Sequence, residues 1–307
     1  MIQTVGVVGA GVMGSDVALD LACYGYEVVL KDISEDAVRR AKEKIRTDFR
    51  LLKMVKPRAK QLALEDVLGR ITFTTSYDGF GRVQFVIENI TEDWERKKTV
   101  YTELAEVCGI DTYFAVNTSC ISITKVGALM PRPDKVIGMH FMNPVPMKEL
   151  VEVIRGEHTS DETVACGEQF LRSFDKVPVV VNDFPGFVTN RVLMLTINEC
   201  VWAVQDGVAE PQDVDKIFRL GFGHKMGPLA TCDLIGLDTI LNSLLVLYDS
   251  YKDPKFRPCP LLVKMVDAGY LGKKSGKGFF DYDKWGGIDN GESRGKGQGS
   301  EVRRMGS

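Results

Sequence analysis

The chain has few of the residues that bind metal ions or form disulfides. Among its 307 residues are three histidines and seven cysteines. The cysteines are odd in number and widely scattered, without a C-x-x-C pair or a ligand-like spacing to histidine. We therefore predict no metal site, because structural zinc needs closely spaced thiolate and imidazole ligands. Scattered unpaired thiols are typical of a reducing compartment, so a cytoplasmic location is expected.

Long apolar runs and an excess of one charge are also missing. No segment reaches the ~18 uninterrupted apolar residues of a membrane span. The apolar N-terminus lacks a positive leading region and is interrupted by Gly6, Gly9 and Gly11, unlike a secretory signal. Lys and Arg total 39 against 42 Asp and Glu, a net charge of −3. Neither a nucleic acid nor a membrane is expected as a partner, and a small-molecule ligand is favoured.

Strand and helix patterns alternate over the first 183 residues. Each predicted strand is a short, mostly apolar run, and amphipathic helices lie between most of them. The predicted strands cover 4–8, 27–31, 71–74, 85–88, 113–117, 135–139, 150–154 and 177–181. This alternation predicts an α/β domain over residues 1–183, with a doubly wound parallel sheet.

The pattern after residue 183 is helical. Predicted helices cover 188–205, 211–220, 238–251 and 261–268, with no convincing strand between them. We expect an all-helical C-terminal domain over residues 184–283, beginning at the Phe184-Pro185-Gly186 turn. Glycine, serine and charged residues dominate the end of the chain, which predicts a disordered tail over 284–307.

A glycine turn follows the first strand. Gly9, Gly11 and Gly14 form G-x-G-x-x-G at the start of a helix, and Asp32 ends the second strand 18 residues after Gly14. In this strand-turn-helix context the motif predicts a dinucleotide site, with the pyrophosphate at the helix N-terminus. Asp32 is predicted to bond the adenosine ribose and to repel a 2′-phosphate, which favours NAD over NADP.

One histidine and one carboxylate are candidates for proton transfer. His140 follows the strand 135–139 at its carboxyl end, where doubly wound sheets place ligands. Glu152 lies across the proline turn on the next strand, among apolar neighbours. A buried carboxylate needs a partner, and imidazole can supply it and titrate near neutral pH. From spacing alone, a purely structural histidine and glutamate explain these positions equally well.

Six motifs follow one another in order through both predicted domains. They are residues 9–14, 117–119, 138–146, 150–154, 185–191 and 226–229. Together they resemble the 3-hydroxyacyl-CoA dehydrogenase family, in particular its short-chain 3-hydroxybutyryl-CoA members. The resemblance runs from about residue 4 to residue 282.

The resemblance implies an NAD-dependent oxidoreductase that interconverts (3S)-3-hydroxyacyl and 3-ketoacyl thioesters, with short-chain acyl-CoA as the expected substrate and homodimers formed through the helical domain. His140 becomes the catalytic base and Glu152 its orienting carboxylate. Ser119 and Asn190 join them as catalytic and substrate-binding residues, and Asn143 as a substrate-binding residue. Without the resemblance, these three would be interpreted as turn or helix-capping residues. The predicted cofactor-binding residues are Gly9, Gly11, Val12, Met13, Gly14, Asp32, Glu92, Lys97 and Asn117.

Departures from the family leave the carrier of the acyl group open. Asp48 and Val55 stand where the family has small or basic residues near CoA, although Lys53 and Lys56 are close by. A weaker CoA site would suit a hydroxyacyl unit on acyl-carrier protein, as in polyketide-type biosynthesis.

Two functions without a thioester substrate are also compatible with the fold. One is a non-catalytic NAD-binding or structural protein, since a fold does not by itself determine a function. Retention of His140, Glu152, Ser119 and Asn190 argues against it. The other is a dehydrogenase of free sugar acids, and the stretch 228–238, which is more similar to the CoA dehydrogenases, argues modestly against that function.

Overall fold

The structure is a computed structural model that describes residues 2–282. The predicted disordered tail, residues 284–307, lies outside the described residues. The strands are β1 (Thr4–Val8), β2 (Glu27–Lys31), β3 (Ile71–Thr74), β4 (Phe85–Glu88), β5 (Tyr113–Val116), β6 (Val136–Phe141), β7 (Leu150–Arg155) and β8 (Val177–Asn182).

The helices follow the predicted alternation in the first half and dominate the second. They are α1 (Val12–Cys23), α2 (Glu35–Val55), α3 (Pro57–Lys60), α4 (Leu64–Gly69), α5 (Trp94–Val107), α6 (Ile123–Gly127), α7 (Asp161–Arg172), α8 (Thr189–Gln205), α9 (Pro211–Gly221), α10 (Pro228–Ile235), α11 (Leu237–Tyr251) and α12 (Pro260–Asp267).

Local sequence chemistry starts two of these helices. The Ser34 hydroxyl accepts a hydrogen bond from the Ala37 amide at the start of α2, and the Ser160 hydroxyl accepts one from the Thr163 amide at the start of α7. Acidic residues occupy the first turn of both helices, where they complement the positive end of the helix dipole. These caps define where each helix begins.

The eight strands form one sheet in the order β3-β2-β1-β4-β5-β6-β7-β8. Neighbours from β3 to β6 are parallel, β7 is antiparallel to β6, and β8 is parallel to β7. The strand order reverses direction at β1, which pairs with both β2 and β4, so the crevice for ligands lies at the carboxyl ends of these strands. The α/β fold class with a helical C-terminal part is confirmed, and the β6–β7 hairpin is the departure from a wholly parallel sheet.

Three local predictions were wrong. The sequence pattern over residues 59–68 predicts a single helix, but the structure divides this region into α3 and α4. The short helices α6 and α10 were not predicted. The strand expected over 135–139 extends to Phe141, so His140 lies inside β6 rather than after it. Short helices of five to eight residues carry too little periodicity to be recognised in a sequence.

The described chain divides into two compact units. One comprises residues 2–195 with 243–257 and contains the sheet, and the other comprises 196–242 with 258–282. The predicted domain limits, 1–183 and 184–283, follow the change from mixed to helical sequence and stay a prediction.

Two absences apply to the described residues alone. Within 2–282 no single helix has the length and apolar composition to cross a membrane, although α10 and α11 together satisfy that test as a pair bent by 96°. In the same range, histidine, cysteine and acidic side chains form no group of three or more that could hold a metal ion.

Candidate active site

The glycine turn between β1 and α1 has the shape that a dinucleotide requires. Gly9 has a φ of +92°, and a Cβ there would lie 2.8 Å from the backbone of Asn89. A Cβ on Gly14 would lie 1.8 Å from the Gly9 carbonyl oxygen, so α1 packs against the turn only because Gly14 has no side chain. At Gly11, by contrast, a Cβ would meet nothing within 4 Å. The start of α1, with Val12 and Met13 in its first turn, is therefore open to a pyrophosphate.

Asp32 lies directly beside this turn. Its Oδ2 accepts a hydrogen bond from the Ala10 amide at 2.7 Å, and its Oδ1 accepts one from the Ile33 amide at 2.7 Å. The carboxylate is thus held at the end of β2 with lone pairs left for ribose hydroxyls. The residues present fit the adenosine half of NAD.

The register of the β6–β7 hairpin brings His140 and Glu152 opposite each other. The distance between His140 Nδ1 and Glu152 Oε2 is 2.7 Å, and both residues are buried, with 7% and 3% of their surface exposed. The two residues therefore form a buried hydrogen-bonded pair. Sequence spacing alone left that pairing open.

The second oxygen of Glu152 is held by the start of α8. Glu152 Oε1 accepts hydrogen bonds from the amides of Val188 at 3.1 Å and Thr189 at 2.9 Å. Burial opposes ionisation of Glu152, but the hydrogen bonds from His140 and Thr189 outweigh it and lower the pKa of the carboxyl. An ionised Glu152 only accepts hydrogen bonds, so His140 Nδ1 carries the proton and Nε2 has the free lone pair.

Ser119, just after β5, faces that lone pair. The distance between Ser119 Oγ and His140 Nε2 is 3.1 Å. Serine, histidine and glutamate thus form a continuous relay from an accessible hydroxyl to a buried carboxylate. A substrate hydroxyl that reaches Nε2 could give its proton to the imidazole.

Two amides connect this relay to the glycine turn. Asn117 Nδ2 donates to Asn89 Oδ1 at 2.7 Å, and Asn117 Oδ1 accepts from the Phe141 amide at 3.3 Å. Asn89 is the residue whose backbone touches Gly9. The predicted cofactor residue Asn117 therefore lies between the nucleotide turn and the strand that carries His140.

The remaining two predicted cofactor residues lie on either side of α5's start. Glu92 is exposed and its Oε1 accepts hydrogen bonds from the loop that carries Ser119. Lys97 is fully buried, and its Nζ donates to Glu88 Oε1 at 2.8 Å, to Glu88 Oε2 at 2.7 Å and to the Asn117 carbonyl at 3.3 Å. Burial raises the pKa of Glu88 even though Lys97 counteracts it. The structure thus places Lys97 beneath the surface of the site.

The predicted substrate residues Asn190 and Asn143 differ in position. Asn190, in the first turn of α8, is buried and hydrogen-bonds the thiol of Cys120, the neighbour of Ser119. Burial, together with the charge of Glu92, raises the pKa of that thiol to about 12, so Cys120 is a neutral wall of the site. Asn143 lies apart from the relay on the turn after β6, where it lines a cavity beside α2.

Sequence reasoning missed the contact of Glu88 with Lys97 and the contact of the first α8 amides with Glu152. Glu88 is an acid at the end of an apolar strand, the same signal that identified Glu152, and it could have been found in the same way. The amides of Val188 and Thr189 follow a Pro-Gly turn, which marks a helix start, but their contact with Glu152 joins residues 36 and 37 positions apart. No local pattern encodes that contact.

Two family models and several known proteins match this chain. The model of the 3-hydroxyacyl-CoA dehydrogenase NAD-binding domain matches residues 4–184, and that of the C-terminal domain matches 186–282. A probable 3-hydroxybutyryl-CoA dehydrogenase of Bacillus subtilis is 43% identical over 287 residues, covering 92% of this chain and 98% of the relative. A similar protein of Deinococcus radiodurans is 45% identical over 277 residues, covering 90% and 99%.

A solved structure shares the fold along the same length. The crystal structure of (S)-3-hydroxybutyryl-CoA dehydrogenase from Ralstonia eutropha matches with a TM-score of 0.86 and 42% identity, covering 92% of this chain and 99% of that one. The fold and site define an NAD-dependent oxidoreductase. The chain belongs to the 3-hydroxyacyl-CoA dehydrogenase family. The predicted family, enzyme class and NAD cofactor are confirmed, and a non-catalytic role is not supported.

Proposed function

We propose that the chain interconverts (3S)-3-hydroxybutyryl-CoA and acetoacetyl-CoA with NAD as the hydride carrier. The observation that carries the proposal is the relay from Ser119 Oγ through His140 to Glu152, with distances of 3.1 and 2.7 Å. It lies at the carboxyl edge of the sheet, which is also where the glycine turn is. The relatives named for this substrate match along nearly the whole chain.

The relay supplies proton transfer at the reacting carbon. In the oxidative direction the C3 hydroxyl must lose its proton as C3 loses hydride, and His140 Nε2 accepts that proton. Glu152, ionised through its bonds to α8, stabilises the imidazolium that forms. Ser119 Oγ hydrogen-bonds the same oxygen and positions it. The glycine turn and Asp32 are the residues that would hold NAD, and NAD would supply the hydride acceptor when bound.

A cavity between α2 and the turn after β6 fits the thioester arm. It has a volume of about 470 Å³ and lies next to the turn that follows His140, with Asn143 in its wall. Most of its lining is apolar, including Leu51, Met54 and Val55 of α2, which are exposed. The apolar side chains and the Asn143 amide suit the largely uncharged pantetheine arm, which CoA and a carrier protein share. Three charged residues, Asp16, Lys44 and Asp48, line the same cavity.

The surroundings of Asp48 weaken the sequence-based argument that this residue opposes CoA binding. Its carboxylate pairs with Lys44 on the neighbouring turn of α2, and Lys44 also pairs with the buried Asp16. Asp48 is therefore not an isolated charge facing a nucleotide, and its repulsion of CoA phosphates is weakened. This supports CoA as an accepted carrier, and the relatives named above are also named for acyl-CoA substrates.

Turnover with matched thioesters tests the proposal. We expect the purified protein to oxidise NADH in the presence of acetoacetyl-CoA. The reaction is measured as the loss of NADH absorbance. The carrier is decided by kcat/KM for the acetoacetyl group on CoA, on pantetheine and on acyl-carrier protein. If pantetheine equalled CoA while the carrier protein exceeded it by about tenfold, 1.4 kcal/mol in transition-state binding, CoA would not be the natural carrier.

Dimer formation through the helical part and a cytoplasmic location belong to the same proposal. Ile217, Leu220 and Phe222, on and just after α9, are large apolar residues with 56%, 77% and 68% of their surface exposed. Exposed apolar clusters of this kind mark association surfaces. Sedimentation of wild type and Leu220→Asp tests the dimer. We expect a dimeric wild type and a variant shifted toward monomer, and a monomeric wild type would be the contrary result.

The cytoplasmic location rests on a separate observation. Seven free cysteines support a reducing compartment.

A further inference from the structure

One carboxylate oxygen organises the loop that carries Ser119. Glu92 Oε1 accepts hydrogen bonds from the Thr118 hydroxyl at 2.5 Å and from the amides of Ser119, Cys120 and Ile121 at 3.1, 2.9 and 3.3 Å. Three successive amides directed at one point form a concave anion site in the backbone. In this protein the anion is a side chain from the neighbouring β4–α5 loop.

The arrangement fixes the Ser119 backbone from a distance of 27 residues. The loop is further tightened because the Thr118 hydroxyl oxygen accepts from the Ile121 amide at 2.8 Å. Ser119 projects from this loop toward His140 Nε2. Reactive groups must be held within about 0.5 Å of their working position, so a shift of this loop would move Ser119 Oγ out of reach of the imidazole.

We propose that Glu92 is a positioning residue for Ser119, in addition to its predicted place beside the cofactor. The proposal rests on the proposed function for the role of Ser119. It assigns the anchoring of the loop to Glu92 Oε1, the oxygen that accepts the four hydrogen bonds.

A double-mutant cycle separates positioning from direct cofactor contact. Glu92→Ala should lower kcat by about tenfold or more, since small misplacements cost up to ~100-fold. Glu92→Gln, whose amide oxygen can still accept the loop N–H groups, should retain kcat within about threefold. In a Ser119→Ala background, Glu92→Ala should lower kcat at saturating NADH by less than about twofold, because Glu92 acts on kcat through Ser119.

The matched control is Glu95→Ala, an exposed glutamate three positions further along the chain, in the first turn of α5. It should leave kcat and KM for NADH unchanged. The proposal is overturned if Glu92→Ala costs the same factor with and without Ser119, or if it raises only KM for NADH. Either result would leave Glu92 as a cofactor contact alone.

A second measurement does not depend on turnover. Amide hydrogen exchange of Ser119, Cys120 and Ile121 should be faster in Glu92→Ala than in wild type, and close to wild type in Glu92→Gln. Unchanged exchange in Glu92→Ala would refute the anchoring. A wild-type protein without turnover would instead reject the proposed function, while exchange would still decide whether Glu92 holds the loop.

Discussion

The protein contains two buried pairs of an acidic and a basic residue, His140 with Glu152 and Lys97 with Glu88. They differ in what the basic residue contacts besides its carboxylate. His140 and Glu152 leave Nε2 facing Ser119, so the pair is connected to a hydroxyl at the site. Lys97 and Glu88 are both fully buried, and the third hydrogen bond of Lys97 goes to the Asn117 carbonyl. The first pair can transfer a proton to or from a ligand, whereas the second is closed on all sides by protein.

This difference distinguishes a pair suited to proton transfer from a pair that stabilises the fold. A proton acceptor needs a lone pair on the side of the site. The bonds of Glu152 leave one on His140 Nε2, where its partner is the hydroxyl of Ser119. A closed pair has none, but it stabilises the strand ends around Asn117 as long as both partners stay. Burial and a charged partner are therefore not enough to identify a catalytic residue. The residue must also have a lone pair or a proton on the side of the site.

The largest expected effect is on turnover, from breaking the open pair. His140→Ala and Glu152→Ala should each lower kcat by roughly 10² to 10⁴, with much less effect on NADH binding. Because the two residues act as one unit, the double variant should be far less impaired than the product of the single effects. Steady-state kinetics and NADH fluorescence titration check this. Wild-type turnover in His140→Ala would refute the assignment.

Breaking the closed pair should act on stability instead. Lys97→Met leaves the Glu88 carboxylate buried without a partner, which should lower the free energy of unfolding by about 3–5 kcal/mol. Lys97→Met with Glu88→Gln should recover a large part of that loss. Denaturant titration of the three proteins measures it. A Lys97→Met protein as stable as wild type would show that the pair does not support the fold.

A smaller effect is expected for cofactor choice. Asp32 at the glycine turn should make kcat/KM with NADH at least tenfold higher than with NADPH, a difference of about 1.4 kcal/mol or more. Asp32→Asn, which keeps the shape and removes the charge, should narrow the ratio. Equal efficiency of wild type with both cofactors would contradict the role of Asp32.

The smallest expected effect is the pH dependence of stability. The pKa of Glu152 is lowered in the folded protein from its ordinary value of 4.5. Its stabilisation is therefore fully present above about pH 4.5 and is lost as pH falls through the lower folded value. The difference in unfolding free energy between wild type and Glu152→Gln should therefore shrink as pH falls below about 4.5. A difference that grows in acid would contradict this sign.

Periodicity and local chemistry determined much of the fold. The strands β1 and β2, the glycine turn and the helix caps Ser34 and Ser160 depend on neighbours within a few residues, so they were predictable. The hairpin that aligns His140 with Glu152 could be predicted from the sequence, because a short proline turn joins its two strands. These features are encoded locally, where side-chain period and backbone preference act directly.

Only the tertiary structure decided how distant segments meet. Ser119 reaches His140 because β5 and β6 are neighbours in the sheet, and Glu152 meets the start of α8 through the fold alone. The burial of Lys97 and the four hydrogen bonds to Glu92 Oε1 likewise join separate loops. Sequence spacing determines which face of a strand or helix a side chain occupies. Strand order and packing determine which residues lie opposite that face. Both depend on burying the whole hydrophobic core at once, so no local segment encodes them.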